Sequence, residues 1–111
     1  MPIYLQIILY IKRGIIAGNI ADNDELPSRR VLSALLGVNP NTVQKAYKLL
    51  EDERLIQSHS GAKSYVSVTS EIKEKIRMEL VENDAKNVVN AMRQMGISKQ
   101  EALALIEKYW D

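Results

Sequence analysis

Four side chains between Asn41 and Lys48 have the types and the spacing for chemistry. In a helix that starts at Pro40, Asn41, Lys45 and Lys48 project from one face and Gln44 from its flank. Val43, Ala46, Tyr47 and Leu50 fall on the opposite face at helical spacing. Asn and Gln amides pair with adenine edges, and a Lys ammonium reaches guanine or phosphate. A polar face of this kind on an arbitrary helix is ordinary solvation. What favours nucleic-acid contact here is the corner that precedes it. Other chemistries find little support. The chain has one His and no Cys, which leaves out thiolate catalysis, disulfides and Cys-ligated zinc. Ser58, His59 and Ser60 are neighbours in sequence, but nucleophile, base and orienter assemble in space. There is no Gly-rich phosphate loop and no metal-ligand spacing around His59. The expectation is no enzyme, no cofactor and no metal.

The corner lies within Leu26–Glu53. Ser28 stands after Pro27 and before the periodic apolar run Val31, Leu32, Leu35 and Leu36, where its hydroxyl can cap a helix start. Gly37 follows the run, at a position that suits a left-handed cap. Asn39 caps the next helix and Pro40 suits its first position, which needs no N–H. Val38 and Val43 flank that cap as a hydrophobic staple. One helix therefore spans about 28–36 and the next about 40–53, joined by a link too short for anything but a sharp turn.

The elements that must position this pair lie on both sides. Ile3, Ile7, Ile11 and Ile15 repeat every four residues and predict a first helix over 3–18, ended by Gly18. Leu5, Ile8, Leu9 and Ile16 lie off that stripe, so this helix packs against more than one surface. Asn19 to Glu25 reads as a polar turn. After the corner, Leu55-Ile56 and Tyr65, Val66 and Val68 read as two short strands around a turn from Ser58 to Ser64 that contains Gly61. A hairpin after two such helices makes a wing, with His59 and Lys63 at or beside its tip, where a cation can meet phosphate or enter a minor groove. A long helix over 70–95 carries one apolar row of Ile72, Ile76 and Leu80 and a second of Val81, Ala85, Val88, Val89 and Met92. Gly96 ends it. Ser98, with Glu101 three residues on, opens a final helix bearing Ala102, Leu103, Ile106, Tyr109 and Trp110. Two such helices cannot enclose their own apolar surface and need the winged helix, a second subunit, or both.

The fold class expected is mainly α with a small β-hairpin: a winged helix-turn-helix over 1–68 and a two-helix dimerisation hairpin over 69–111. Net charge is +1, which by itself does not decide for or against nucleic acid. Residues 1–68 hold eight Lys/Arg against six Asp/Glu and residues 69–111 seven against eight, so the slight basic excess lies with the helix-turn-helix. The apolar N-terminus is interrupted by Lys12 and Arg13 too soon to span a bilayer, and it has no basic leader or cleavage-like site. A soluble cytoplasmic protein without membrane contact is expected.

The segments PIYLQIILYIKRGIIAG, LPSRRVLSALLGVNPNTVQKAYKLLE and SHSGAKSYVSV, taken together over about residues 2–68, resemble the GntR family of bacterial transcription regulators. Asn39-Pro40-Asn41-Thr42-Val43 and the short tail look most like its small YtrA-like branch. The resemblance implies a homodimer on a palindromic operator of double-stranded DNA, commonly near genes for ABC-type transporters. It implies operator contact for Arg30, after the Pro-Ser pair, and it aligns Asn41, Thr42, Gln44 and Lys45 with the start of the recognition helix. Ser28, Arg29 and Asn39, at the two helix starts, complete the expected DNA-contacting set with Lys48, His59 and Lys63. The dimerisation set expected on the tail is Ile76, Leu80 and Val81, then Val88, Val89 and Met92, then Leu103, Ile106 and Trp110.

Three positions depart from the family pattern. Val31 stands where Glu is usual, so the second helix lacks its capping-box partner. Arg54 replaces a Gly just after the recognition helix, and either strains that turn or changes its geometry. The wing is poorer in Gly than is usual. Pro40 and Gln44 stand where some other branches carry Arg, which implies a different base code. The function expected is a sequence-specific transcriptional regulator, with repression as its sign. The rival is a winged-helix module that binds protein instead of DNA. No residue is assigned to a small-molecule effector.

Overall fold

The computed structural model describes residues 1–59 and 63–111. In chain order the elements are α1 (Ile3–Ala17), β1 (Glu25–Leu26), α2 (Arg29–Leu36), α3 (Pro40–Asp52), β2 (Ile56–Ser58), β3 (Ser64–Val66), α4 (Ser70–Gln94) and α5 (Lys99–Trp110). The turn around Gly61 lies outside the described residues.

The expected helices form where the local signals place them. Ser28 Oγ accepts from the Val31 N–H at 3.1 Å and opens α2. Gly37 closes it with φ +67°, a left-handed conformation that costs a residue without Cβ little. Asn39 Oδ1 accepts from the Asn41 N–H at 2.8 Å, and Pro40 is the first residue of α3. Val43, Ala46, Tyr47 and Leu50 are completely buried, as their spacing on one face of α3 requires. They meet α1, whose Ile7, Ile8, Ile11 and Ile15 are also buried. Gly14 lets the chain fold back after α1: its carbonyl accepts from the N–H groups of Asn19 and Ile20. A Cβ at Gly14 would lie 2.6 Å from Ile20 Cδ1.

The apolar run of α2 behaves differently. Val31, Leu35 and Leu36 are exposed, and Ser33 is the residue of this helix that is buried. Leu35 and Leu36 instead form one wall of an open apolar groove of about 740 Å³, with Ile3 and Tyr10 of α1 on the other side and Tyr47 reaching it from α3.

The wing is more than a hairpin. Its antiparallel sheet has three strands in the order β1-β3-β2. Ile56, Gln57 and Ser58 face Val66, Tyr65 and Ser64, while Glu25 and Leu26 pair with Tyr65 and Ser64 on the other side. The segment Asn19 to Glu25, expected as a turn throughout, therefore supplies a strand at its end. It is stitched to β3: the Asn23 N–H donates to the Val66 carbonyl and the Val66 N–H to the Asp24 carbonyl, each at 2.8 Å. Val68, expected as strand, lies outside β3, and its N–H donates to Asp22 Oδ1 at 2.9 Å.

The chain divides into two compact units, Met1–Ile76 and Arg77–Asp111, so the first turns of α4 go with the winged helix. Thr69 Oγ1 accepts from the Ile72 N–H at 3.2 Å and caps α4. In the second unit Gly96 ends α4 with φ +72°, and Ser98 Oγ accepts from the Glu101 N–H at 3.2 Å to open α5. No residue of α5 is buried. Val81, Val88, Val89, Leu103, Ile106 and Trp110 are exposed, as are Met95 and Tyr109, whereas Ile76 and Leu80 of α4 are buried.

Candidate nucleic-acid interface

With one face of α3 buried, its other face is free to read. Asn41, Gln44, Lys45 and Lys48 are exposed, and Thr42 is half-buried beside them. The corner sets how this face is presented. The N–H groups of Gly37 and Val38 both donate to the Ser33 carbonyl, which turns the chain sharply between α2 and α3. Arg30 is exposed on the first turn of α2. Ser28 and Asn39 spend their side-chain acceptors on helix caps, and the Ser28 hydroxyl keeps its proton for donation.

Arg29 is placed differently from Arg30. Its guanidinium turns inward, donates to Glu51 Oε1 at 3.2 Å and lies 5.5 Å from the centroid of the Tyr47 ring. The same Glu51 oxygen accepts from Ser58 Oγ. Arg29 and Glu51 thus tie the start of α2 to the end of α3 and to β2. Tyr47 completes the joint by donating its hydroxyl to the Pro27 carbonyl at 2.7 Å. Burial pushes the Tyr47 phenol up to about 12, with the Arg29 charge offsetting part of the rise. Neither Glu51 nor the Tyr47 hydroxyl stood out in the sequence, because their partners lie about twenty residues away along the chain.

The wing brings His59 and Lys63 together. The His59 N–H donates to the Lys63 carbonyl at 3.0 Å, and the imidazole meets the Tyr65 ring edge-on at 5.0 Å. Lys63 Nζ is 3.9 Å from Glu25 Oε1, an exposed pair that links the residue before β3 to β1. His59, Lys63 and Tyr65 line an open concavity of about 630 Å³ together with Asn23, Gln57 and Ser67. Lys48 Nζ is 3.7 Å from Asp52 Oδ1, one helical turn further along α3. Lys45 Nζ lies 4.0 Å from the centroid of the Tyr4 ring on α1. Tyr4 had no signal in the spacing, since its contact crosses from one helix to another.

Arg54 answers the question its position raised. It adopts φ +63°, the left-handed conformation that a Gly would take at this turn, and its N–H donates to the Glu51 carbonyl at 2.9 Å. The geometry is kept and the backbone is strained there, by about 1–2 kcal/mol relative to Gly.

The arrangement of buried and reading faces has a counterpart among known proteins. The model for bacterial regulatory proteins of the gntR family matches residues 3–66. The chain belongs to the GntR family. It is 36% identical over 107 residues to the HTH-type transcriptional repressor YtrA of Bacillus subtilis, which covers 96% of this chain and 78% of that protein. Its fold matches a GntR family transcriptional regulator from Listeria monocytogenes with a TM-score of 0.82 and 32% identity, over 97% of this chain and 95% of that one. It also matches YtrA from Sulfolobus acidocaldarius, a GntR-family transcription factor, with a TM-score of 0.59 and 31% identity, over 97% and 87% of the two chains. These likenesses place this GntR protein in the small YtrA-like branch and make it a DNA-binding transcriptional regulator with a winged helix-turn-helix. Among the described residues no helix is long and apolar enough to cross a membrane.

Proposed function

We propose that this GntR protein represses transcription as a homodimer on a palindromic operator, joined through residues 69–111. Each copy lays α3 in a major groove, about one helical turn of DNA from its mate. The observation that carries this reading is the division of α3 into a fully buried face and an exposed one bearing Asn41, Gln44, Lys45 and Lys48. In it Asn41, Thr42, Gln44 and Lys45 face base edges. Arg30, Lys48, Ser28 and Asn39 serve the phosphates on either side. Arg29, held by Glu51, aligns α2 with α3 and meets DNA less directly. His59 and Lys63 approach the flanking backbone from the wing. The exposed apolar residues of the second unit, Val81, Val88, Val89, Leu103, Ile106 and Trp110, with Met92 half-buried among them, support dimerisation through this tail. The same branch resemblance extends the proposal to operators near genes for ABC-type transporters.

Selection of bound duplexes from a random pool by the purified protein tests the reading. A two-fold symmetric sequence is expected, and its affinity should fall steeply with salt as phosphate counterions are released. Recovery of no enriched sequence, with weak and salt-insensitive binding, would sink the proposal in favour of a protein-binding winged helix.

A further inference from the structure

We propose that Tyr4 of α1 is a positioning residue for Lys45, holding its ammonium at the edge of the reading face with its charge intact, so that α1 is part of the reading head. This rests on the operator-binding reading above. Lys45 Nζ stands 4.0 Å from the Tyr4 ring centroid, well inside the distance at which the negative face of an aromatic ring attracts a cation. The partner type is what matters. Lys12, Arg29, Lys48 and Lys63 each face a carboxylate, of Glu53, Glu51, Asp52 and Glu25 respectively. A carboxylate cancels the charge and must be displaced before phosphate can take its place. A ring does neither. It occupies one side of the ammonium and leaves N–H donors for a base edge or a phosphate. A free lysine loses much rotamer freedom when it is fixed on DNA, and a side chain already held over a ring has lost part of it beforehand.

The placement of Tyr4 is itself fixed. Lys12 Nζ is 2.7 Å from Glu53 Oε2 just past the end of α3, while Tyr4 meets Lys45 near the middle of that helix. Both pairs of contacts are eight residues apart on both stretches of chain, so α1 and α3 run side by side in the same direction. Between the two pins α1 carries the buried Ile7, Ile8 and Ile11, and α1 packs against α3. Tyr4 is itself half-buried.

The test uses the full chain, the duplex that it selects from a random pool, and four variants: Tyr4→Phe, Tyr4→Leu, Lys45→Met and the double Tyr4→Leu/Lys45→Met. Thermal melting first establishes that each is folded. Lys45→Met is expected to weaken binding about five- to 150-fold, the cost of one lost base contact. Tyr4→Leu should weaken binding about two- to fivefold, the size of an exposed cation–ring contact. Tyr4→Phe keeps the ring and should bind like the parent, and Tyr4→Leu should cost nothing further once Lys45 is Met. In the DNA-free protein the Lys45 ε-methylene protons should be shifted upfield by the ring, in the parent and in Tyr4→Phe but not in Tyr4→Leu. An equal loss from Tyr4→Leu with and without Lys45 overturns the inference, and so does an unshifted ε-methylene in the parent. Failure of the parent to select any duplex overturns the operator reading and the positioning role with it. The proton shift would still report the pair independently, so the two failures are distinguishable.

Discussion

Two helices of similar length, α3 (Pro40–Asp52) and α5 (Lys99–Trp110), carry apolar residues at the same helical spacing and end in opposite conditions. α3 buries Val43, Ala46, Tyr47 and Leu50 completely, and α5 buries no residue. The spacing alone does not distinguish them. What differs is the supply of neighbours: α3 is met by α1, α2 and β2, whereas α5 sits in a small unit that leaves Leu103, Ile106 and Trp110 in the open. An amphipathic helix of twelve residues has little stability by itself in water. The first unit encloses an apolar core, and the second carries the exposed apolar surface that the proposed dimer would cover.

The contrast can be broken most sharply at the tail. Replacing Val88 and Ile106 together by Asp should convert the proposed dimer to monomer, read as a halved mass in sedimentation equilibrium, with weakened binding to a palindrome. A variant of unchanged mass would show that this surface is not the contact between copies. In the first unit Leu50→Ala should cost about 2–5 kcal/mol, the range for truncating a fully buried Leu. If the unit's core is its own, chemical denaturation of the Val88/Ile106 variant should show the same loss at every protein concentration.

A third effect is tied to pH. The Tyr47 phenol is held at about 12 in the folded chain against an ordinary value near 10. The unfolded chain therefore gives up this proton first, and stability present below pH 10 is lost as pH rises towards 12. The loss amounts to roughly 2–3 kcal/mol. Tyr47→Phe should remove that component of the alkaline fall, seen by comparing denaturant midpoints of the two proteins from pH 9 to 12. Parallel curves would show that the hydroxyl is not withheld from solvent. The smallest effect is expected at the end of α3. Arg54→Gly should stabilise the first unit by about 1 kcal/mol by relieving the left-handed backbone at φ +63°, measurable as a rise in melting temperature. No gain would mean that the arginine side chain makes good its strain elsewhere.

The same contrast explains what could be read from residues alone. Caps and corners were legible because their partners are close in sequence: Ser28 with Val31, Asn39 with Asn41, Ser98 with Glu101. The buried face of α3 was legible from periodicity. β1 was not, because two residues become a strand through pairing with Tyr65 and Ser64 some forty positions later. The exposure of Val31, Leu35 and Leu36 was equally hidden, since an apolar run does not say whether anything covers it. On the exposed face of α3 the polar side chains were legible from spacing. The inward turn of Arg29 towards Glu51 and the ring beneath Lys45 depend on how helices meet.

The two pins between α1 and α3 also have a mechanical meaning. Helices pinned at two points along their length resist sliding and pivoting against one another. Tyr10 and Ile3, exposed on α1, line the apolar groove. A displacement of α1 would therefore be passed to α3 and to the exposed face that carries Lys45.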